Sequence, residues 1–285
     1  MAKAIVTNNP ELTDSLSSIF NQWEKNAMLQ KQIASYVAFV DSIDAYSNLK
    51  NDAKAPVCLY QAYASRNADP LKVYAQLYMS FKACADPSNK ILVGVNIVSA
   101  ENSEQSMLYY NGHMKMFAFL KKTLPIVNTS LHAGEMTLGL VKPEDLNSHI
   151  REAIYTAKAN RIGHGVDIAF EDSSASLLNY MKKQNIPVEI NLVSNEFILG
   201  VKENKHPFPL YFKSGVPLVI STDDPGILRT NLAQQFTLLE LRYHLNYFDI
   251  KQLVRNSIIY SFAPAKTKQT LLTNLDNEFA KFESK

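Results

Sequence analysis

The chain has 285 residues, of which 46% are hydrophobic and 20% charged, as is typical of a globular protein with one large α/β domain. Its formal net charge of +2 is too small to predict a nucleic-acid partner, and it lacks an apolar run of about 18 residues that would predict a membrane span. Its two cysteines, Cys58 and Cys84, provide neither a disulfide framework nor a CxxC metal motif. We therefore expect a cytoplasmic protein, with secretion left open if a signal sequence precedes this chain.

The first 55 residues are predicted to be helical and to carry no functional site. Asn9 and Pro10 are typical of a helix start, and apolar residues follow at helical spacing as far as Ile43. A polar stretch then separates this part from a region with a different pattern. We therefore divide the chain into an N-terminal helical segment, residues 1–55, and a second region, residues 56–285.

In the second region, apolar strand-like runs alternate with amphipathic helical patterns. Six such runs are predicted, and a helical pattern follows each of them. This alternation predicts a parallel sheet, either doubly wound or closed into a barrel. The strand-like runs begin at Val57, Ile91, Val127, Arg161, Pro187 and Val216, and the run from Pro187 is predicted to extend to Val193.

Polar residues follow the predicted strands at a nearly constant spacing. In a parallel barrel, the carboxyl ends of the strands meet at one rim, and such folds keep their active sites there. The spacing therefore predicts one site that draws on several strands. The residues, separated by 33, 32, 31 and 28 positions, are Ser99, His132, His164, Asn195 and Asp223.

Two of these residue types indicate a divalent metal ion. His132 and Asp223 are ligands suited to Zn²⁺. The neighbouring carboxylates of Asp223 and Asp224 would repel each other if both were buried without a cation. The alternative is a core histidine and a solvated helix N-terminus before Pro225.

Two further residues are candidates for handling protons beside that metal. Glu135 lies beyond Gly134, where the backbone can turn, and His164 lies between two glycines. A helix-capping glutamate and a strand-end histidine are the alternative interpretations. His206, before Pro207, is a weaker candidate on a rim loop.

Four motifs together resemble the adenosine deaminase family, in particular its growth-factor-related subgroup. The resemblance covers about residues 56 to 265, with the motifs in the family's order. The motifs are Ser-Leu-His-Ala-Gly-Glu at 130–135, Arg-Ile-Gly-His-Gly at 161–165, Ser194-Asn195, and Ser-Thr-Asp-Asp-Pro at 221–225.

This resemblance implies a (β/α)8 TIM-type barrel of the metal-dependent hydrolase kind, with zinc as cofactor and a nucleoside as substrate. The implied reaction replaces the 6-amino group of adenosine by oxygen, which gives inosine and ammonia. The implied roles are metal binding by His132 and Asp223, proton transfer by Glu135, orientation of the attacking hydroxide by His164 and Asp224, and substrate binding by Ser99, Gly134 and Asp224.

The chain departs from the family where two more zinc ligands are expected. The family places a His-x-His pair at the end of its first strand, whereas this sequence has no His-x-His and no histidine before His113. Val57 then begins the family's third strand, so we expect an incomplete barrel with six of eight strands. A barrel with open edges is expected to pair with a separate N-terminal segment or to self-associate.

Several functions stay open at this stage. The leading hypothesis is the C-terminal part of a zinc-dependent adenosine deaminase, a poor catalyst by itself because two ligands are missing. The alternatives are a deaminase that acts on another purine and a non-catalytic relative that serves as a binding or assembly module. Nucleic acid and membranes are not expected as partners.

Overall fold

The structure, a computed structural model, describes residues 11–46 and 58–285. The chain divides into a first unit, Met1–His132 with Arg151–Asn160, and a second unit, Ala133–Ile150 with Arg161–Lys285. The helix start predicted at Asn9, the beginning of the strand predicted from Val57, and the division at residue 55 lie outside the described residues. None of the helices in the described ranges is long and apolar enough to cross a membrane.

The first unit contains parallel strands that alternate with helices, as predicted. Strand β1 pairs with β2, and β2 pairs with β3, with Gly94 opposite both Gln61 and Asn128. Side chains cap the helices that follow β1 and β2, since Asp69 accepts from the backbone of Leu71 and Ser103 accepts from that of Ser106. The elements are α1 Glu11–Glu24, α2 Ala27–Tyr46, β1 Tyr60–Ser65, α3 Pro70–Ala85, β2 Leu92–Val98, α4 Glu104–Thr123 and β3 Asn128–Ala133.

Helices α1 and α2 confirm the helical prediction for residues 11–46. Helix α1 packs on α4, and α2 packs on α3. The hydroxyl of Tyr74 donates to the carbonyl of Leu16 at 3.0 Å, and the ring of Phe20 packs edge-on against Tyr78 at 5.2 Å between centroids. The apolar stripe of α1 is therefore core, as its helical spacing predicts.

The second unit contains the other three strands, which are parallel and shorter than those of the first unit. Strand β4 pairs with β5 and β5 with β6, with Val188 opposite both Ile162 and Leu218. All three strands are buried, as expected for strands covered by helices. Helix α5, His149–Tyr155, begins in this unit, and its residues 151–155 belong to the first unit. The other elements are β4 Arg161–His164, α6 Ser174–Gln184, β5 Val188–Ile190, α7 Leu192–Leu199, α8 Phe208–Ser214, β6 Leu218–Ile220, α9 Pro225–Leu228, α10 Leu232–Tyr243, α11 Tyr247–Ile259 and α12 Ala265–Glu283.

One predicted boundary is wrong in a way that matters for the site. The strand predicted from Pro187 to Val193 ends at Ile190, and helix α7 begins at Leu192. Asn191 lies between the two elements, with φ of −116° and ψ of 67°. An apolar run does not distinguish a buried strand from a buried helical turn, so the sequence pattern extended the strand too far.

Candidate active site

Gly134 produces the turn that presents Glu135. Its φ is +77°, a conformation that L side chains rarely adopt. Its carbonyl accepts from the backbone N–H of Val166 at 2.8 Å. A Cβ atom at this position would collide with the carboxylate of Asp167 and the side chain of Ile150. Glycine is therefore required here by both conformation and space.

Glu135 and His164 face each other within the second unit. Glu135 Oε1 lies 3.4 Å from His164 Nδ1, and the side chain of His164 is 1% exposed. His164 has a φ of +68°, which is strained for a residue with a side chain. Gly165 follows with φ of +57°, and its carbonyl accepts from the buried hydroxyl of Tyr211 at 2.7 Å. This turn holds the imidazole at the end of β4.

Asp223 completes this cluster. Its Oδ2 lies 4.0 Å from His164 Nε2 and accepts from the hydroxyl of Ser194 at 2.6 Å. Its backbone N–H donates to Ser221 Oγ at 3.2 Å, and its φ is +56°. Strained backbone of this kind concentrates at functional sites because the surrounding contacts hold it in place.

Asp224 is placed differently from Asp223. It is exposed at the N-terminus of α9, and no side-chain capping bond to this short helix is present. The structure therefore brings together Glu135, His164 and Asp223. Asp224, the next residue after Asp223, is exposed to solvent.

His132 belongs to the first unit, where Asn96 sets the state of its ring. Asn96 Oδ1 accepts from the backbone N–H of Ile97 at 2.7 Å and of His132 at 3.3 Å. Two backbone donors identify this atom as oxygen, so His132 Nδ1, 3.1 Å away, donates to it. In the neutral ring, Nε2 is then the nitrogen that can bind a metal.

Ser99 also lies in the first unit, directly after β2. It is exposed, its hydroxyl lies 2.9 Å from that of Ser65, and its φ is +83°. Glycine adopts this φ without strain, whereas a residue with a side chain, such as Ser99, has a conformational cost there.

Sequence reasoning missed the amides that contact the two histidines. It placed Asn195 at the rim by spacing, but gave no role to Asn96 or to Asn191, whose Nδ2 lies 3.3 Å from His164 Nδ1. A histidine needs a partner for its second ring nitrogen. Asparagines near the strand ends were therefore the sequence signal that could have identified the partners of the two histidines.

Known proteins resemble this chain in sequence. The family profile described as adenosine deaminase matches residues 79–278. Adenosine deaminase of Clostridium acetobutylicum is 31% identical over 151 residues, 53% of this chain and 42% of that protein. N6-Methyl-AMP deaminase of Danio rerio is 36% identical over 122 residues, 42% of this chain and 35% of that protein. The chain thus spans less than half the length of these curated relatives.

Solved structures share the fold. Adenine deaminase from Arthrobacter aurescens has a TM-score of 0.61 at 21% identity, covering 78% of this chain and 62% of that one. An amidohydrolase from Burkholderia ambifaria, solved with bound zinc, has a TM-score of 0.62 at 18% identity, covering 78% and 57%. Together with the six strands in the described residues, this likeness confirms the predicted fold class, an incomplete (β/α)8 TIM-type barrel.

Proposed function

Because the chain belongs to the adenosine deaminase family, we propose that the protein hydrolyses the amino group of a purine, with adenosine as the first candidate substrate. The observation that carries this proposal is the cluster of Glu135, His164 and Asp223 in the second unit. An acid, an imidazole and a second carboxylate are the groups that such a hydrolysis needs to move protons and orient water. The products are then inosine and ammonia.

The donor set of this chain fits zinc. We assign His132 and Asp223 as metal ligands, because zinc prefers imidazole nitrogen and carboxylate oxygen. Asn96 supports this role for His132 by engaging Nδ1, and Ser194 supports it for Asp223 by donating to one carboxylate oxygen. When bound, zinc activates water for nucleophilic attack near neutral pH.

The remaining assignments concern protons and substrate. Hydrolysis adds the oxygen of water to carbon 6 of the purine, and the exocyclic amino group leaves as ammonia. Glu135 gives a proton to the adjacent ring nitrogen, which makes the carbon more electrophilic. His164 orients the attacking water, and Asp224 helps to position it and binds the purine. Ser99 and Gly134 contribute the remaining substrate contacts.

A nucleotide is the second candidate substrate. The relative from Danio rerio named N6-methyl-AMP deaminase is 36% identical over its matched region, compared with 31% for the adenosine deaminase of Clostridium acetobutylicum. The resemblance also implies a glycine that contacts the purine where this chain has Ser99, so a substrate other than adenosine is tested as well.

The test compares adenosine, AMP and N6-methyl-AMP as substrates of the natural full-length protein, with and without added zinc. Formation of inosine or its monophosphate is measured by chromatography, since the leaving amine differs among these substrates. We expect zinc-dependent conversion of at least one. Stoichiometric zinc binding with no conversion of any purine would instead favour a non-catalytic binding module.

A further inference from the structure

A chain of hydrogen bonds within the second unit runs from a backbone amide to His164. We propose that His206 and Asn195 are positioning residues that hold His164 in the tautomer with its proton on Nε2. This inference rests on the proposed function, because it concerns how His164 is prepared to orient water. Each hydrogen bond in this series determines which atom of the next side chain is the donor and which is the acceptor.

The first step fixes the ring of His206. This side chain is buried, and its Nδ1 lies 3.0 Å from the backbone nitrogen of Phe208. A backbone N–H can only donate, so His206 Nδ1 is the acceptor and carries no proton. Burial, with a smaller contribution from Arg242, lowers the pKa of His206 to about 4. The ring is therefore neutral near pH 7, and its single proton is on Nε2.

The second step fixes the amide of Asn195. His206 Nε2 lies 3.1 Å from Asn195 Oδ1, so the Nε2–H donates and the amide atom facing it must be oxygen. Asn195 is fully buried, which leaves no solvent to stabilise the flipped amide. Flipping it would set two donors against each other at His206. The NH2 group of Asn195 is thus turned towards His164.

The third step fixes His164. Asn195 Nδ2 lies 2.9 Å from His164 Nδ1, and Asn191 Nδ2 lies 3.3 Å from the same nitrogen. Glu135 Oε1, at 3.4 Å, would favour a proton on Nδ1, but it is 0.5 Å further away than the Asn195 amide. The amide of Asn195, whose orientation His206 fixes, is the nearest of these groups, so Nδ1 accepts from it and the proton is on Nε2.

This tautomer determines what His164 offers to the reaction. Nε2 is the ring nitrogen that faces Asp223 Oδ2, at 4.0 Å. A protonated Nε2 donates to the oxygen of an attacking water or to the carboxylate, whereas an unprotonated Nε2 would compete with them as a second acceptor. His206 and Asn195 therefore act through His164 and have no contact with substrate in this proposal.

Nitrogen-15 NMR of the imidazole rings tests the inference, because the chemical shifts of Nδ1 and Nε2 identify which nitrogen carries the proton. In the unaltered chain, we expect His164 to be protonated on Nε2. Asn195→Asp keeps the shape but replaces the NH2 donor by a carboxylate oxygen, so the proton should move to Nδ1. Asn274→Asp, the same change at an exposed position on α12, should leave His164 unchanged.

A second pair of variants separates positioning from packing. His206→Leu removes the donor to Asn195 and should give a mixture of His164 tautomers. His206→Gln retains a donor at a similar position and should restore the Nε2–H form. A folded Asn195→Asp or His206→Leu protein with His164 still protonated only on Nε2 would overturn the inference, as would an unaltered chain protonated on Nδ1. The spectra require no turnover, so inactivity on all purines would count against the proposed function alone.

Discussion

Replacing Glu135 by Gln is expected to separate proton transfer from metal binding. Its side chain is 12% exposed and faces His164, and the amide would keep its shape without being able to give and take a proton. We expect the full-length protein to retain zinc while its turnover falls by about 10²–10⁴-fold, the usual contribution of a general acid–base group. Turnover and bound zinc are measured on the same preparations.

Glu144→Gln is the matched control, because Glu144 is exposed in the second unit and outside the cluster. It should change neither quantity. Parallel loss of zinc and activity in Glu135→Gln would instead assign Glu135 to the metal ligands or to the scaffold.

His113 should make the stability of the chain depend on pH in the acid range. It is fully buried on α4, and burial, reinforced by the charge of Arg66, lowers its pKa to about 3. The unfolded chain binds a proton here below about pH 6.5, whereas the folded chain does so only near pH 3. Between these values the unfolded state binds more protons, so the free energy of unfolding should fall as the pH is lowered.

The contribution of His113 is at most about 1.4 kcal/mol per pH unit within that window. His113→Met replaces the ring by an apolar side chain that does not titrate, and it should flatten this part of the pH profile. Denaturant unfolding at pH 7, 6 and 5 measures the slope. A slope identical to that of the unaltered chain would contradict the prediction.

The residues of the cluster could be predicted, but the amides that orient them could not. Glu135, His164 and Asp223 belong to residue types that handle protons and metals. His164 and Asp223 follow predicted strands at a nearly constant spacing, and Glu135 lies just beyond the turn at Gly134. In the sequence, nothing distinguishes Asn96 and Asn191 from the other asparagines. Their roles depend on which histidine nitrogen they meet in the fold, and this follows from tertiary geometry alone.

At the scale of elements, the six strands were predictable and their lengths were not. Apolar runs bounded by Pro and Gly predicted each strand, whereas β5 and β6 contain three residues each. The run from Pro187 continues into Leu192, which is buried in a helix rather than a strand. The turn at Asn191 places α7 so that Asn195 reaches His164. The prediction was therefore least accurate where the chain leaves β5 to form the site.

Even a methyl side chain at Gly134, in the turn after β3, should lower the free energy of unfolding. Gly134→Ala introduces a Cβ that collides with Asp167 and Ile150, in addition to the strain of a φ of +77°. We expect a loss of about 2–4 kcal/mol in the free energy of unfolding, since strain and overpacking each cost about 1–3 kcal/mol.

Gly200→Ala is the control for strain alone, because Gly200 has a φ of +65° and a Cβ added there would meet no atom within 4 Å. It should cost about 1 kcal/mol. Equal losses in the two variants, measured by denaturant unfolding, would show that the collision at Gly134 is relieved by small movements.

At the scale of the whole molecule, β1 and β6, the first and last strands in the strand order, differ in how far their edges are covered. In the second unit, Asn256 on α11 donates to the backbone carbonyl of Leu218 in β6 at 2.9 Å. This bond satisfies one edge group, so β6 is less open than the sequence suggested. In the first unit, β1 pairs with β2 alone among the described strands, and Tyr60 and Tyr63 are 38% and 64% exposed.

The edge at β1 leads to the prediction that this chain self-associates or co-purifies with a separate N-terminal segment. An edge strand presents unpaired backbone groups, and exposed aromatic side chains beside it add apolar surface that favours association. Tyr63→Lys should shift the chain towards monomer, because a lysine on an edge strand opposes pairing with another strand. Phe248→Lys, which removes an aromatic side chain that is 76% exposed on α11, should leave the mass distribution unchanged. Size-exclusion chromatography with light scattering measures both effects, and a monodisperse monomer without a bound peptide would show that the β1 edge is already covered within the chain.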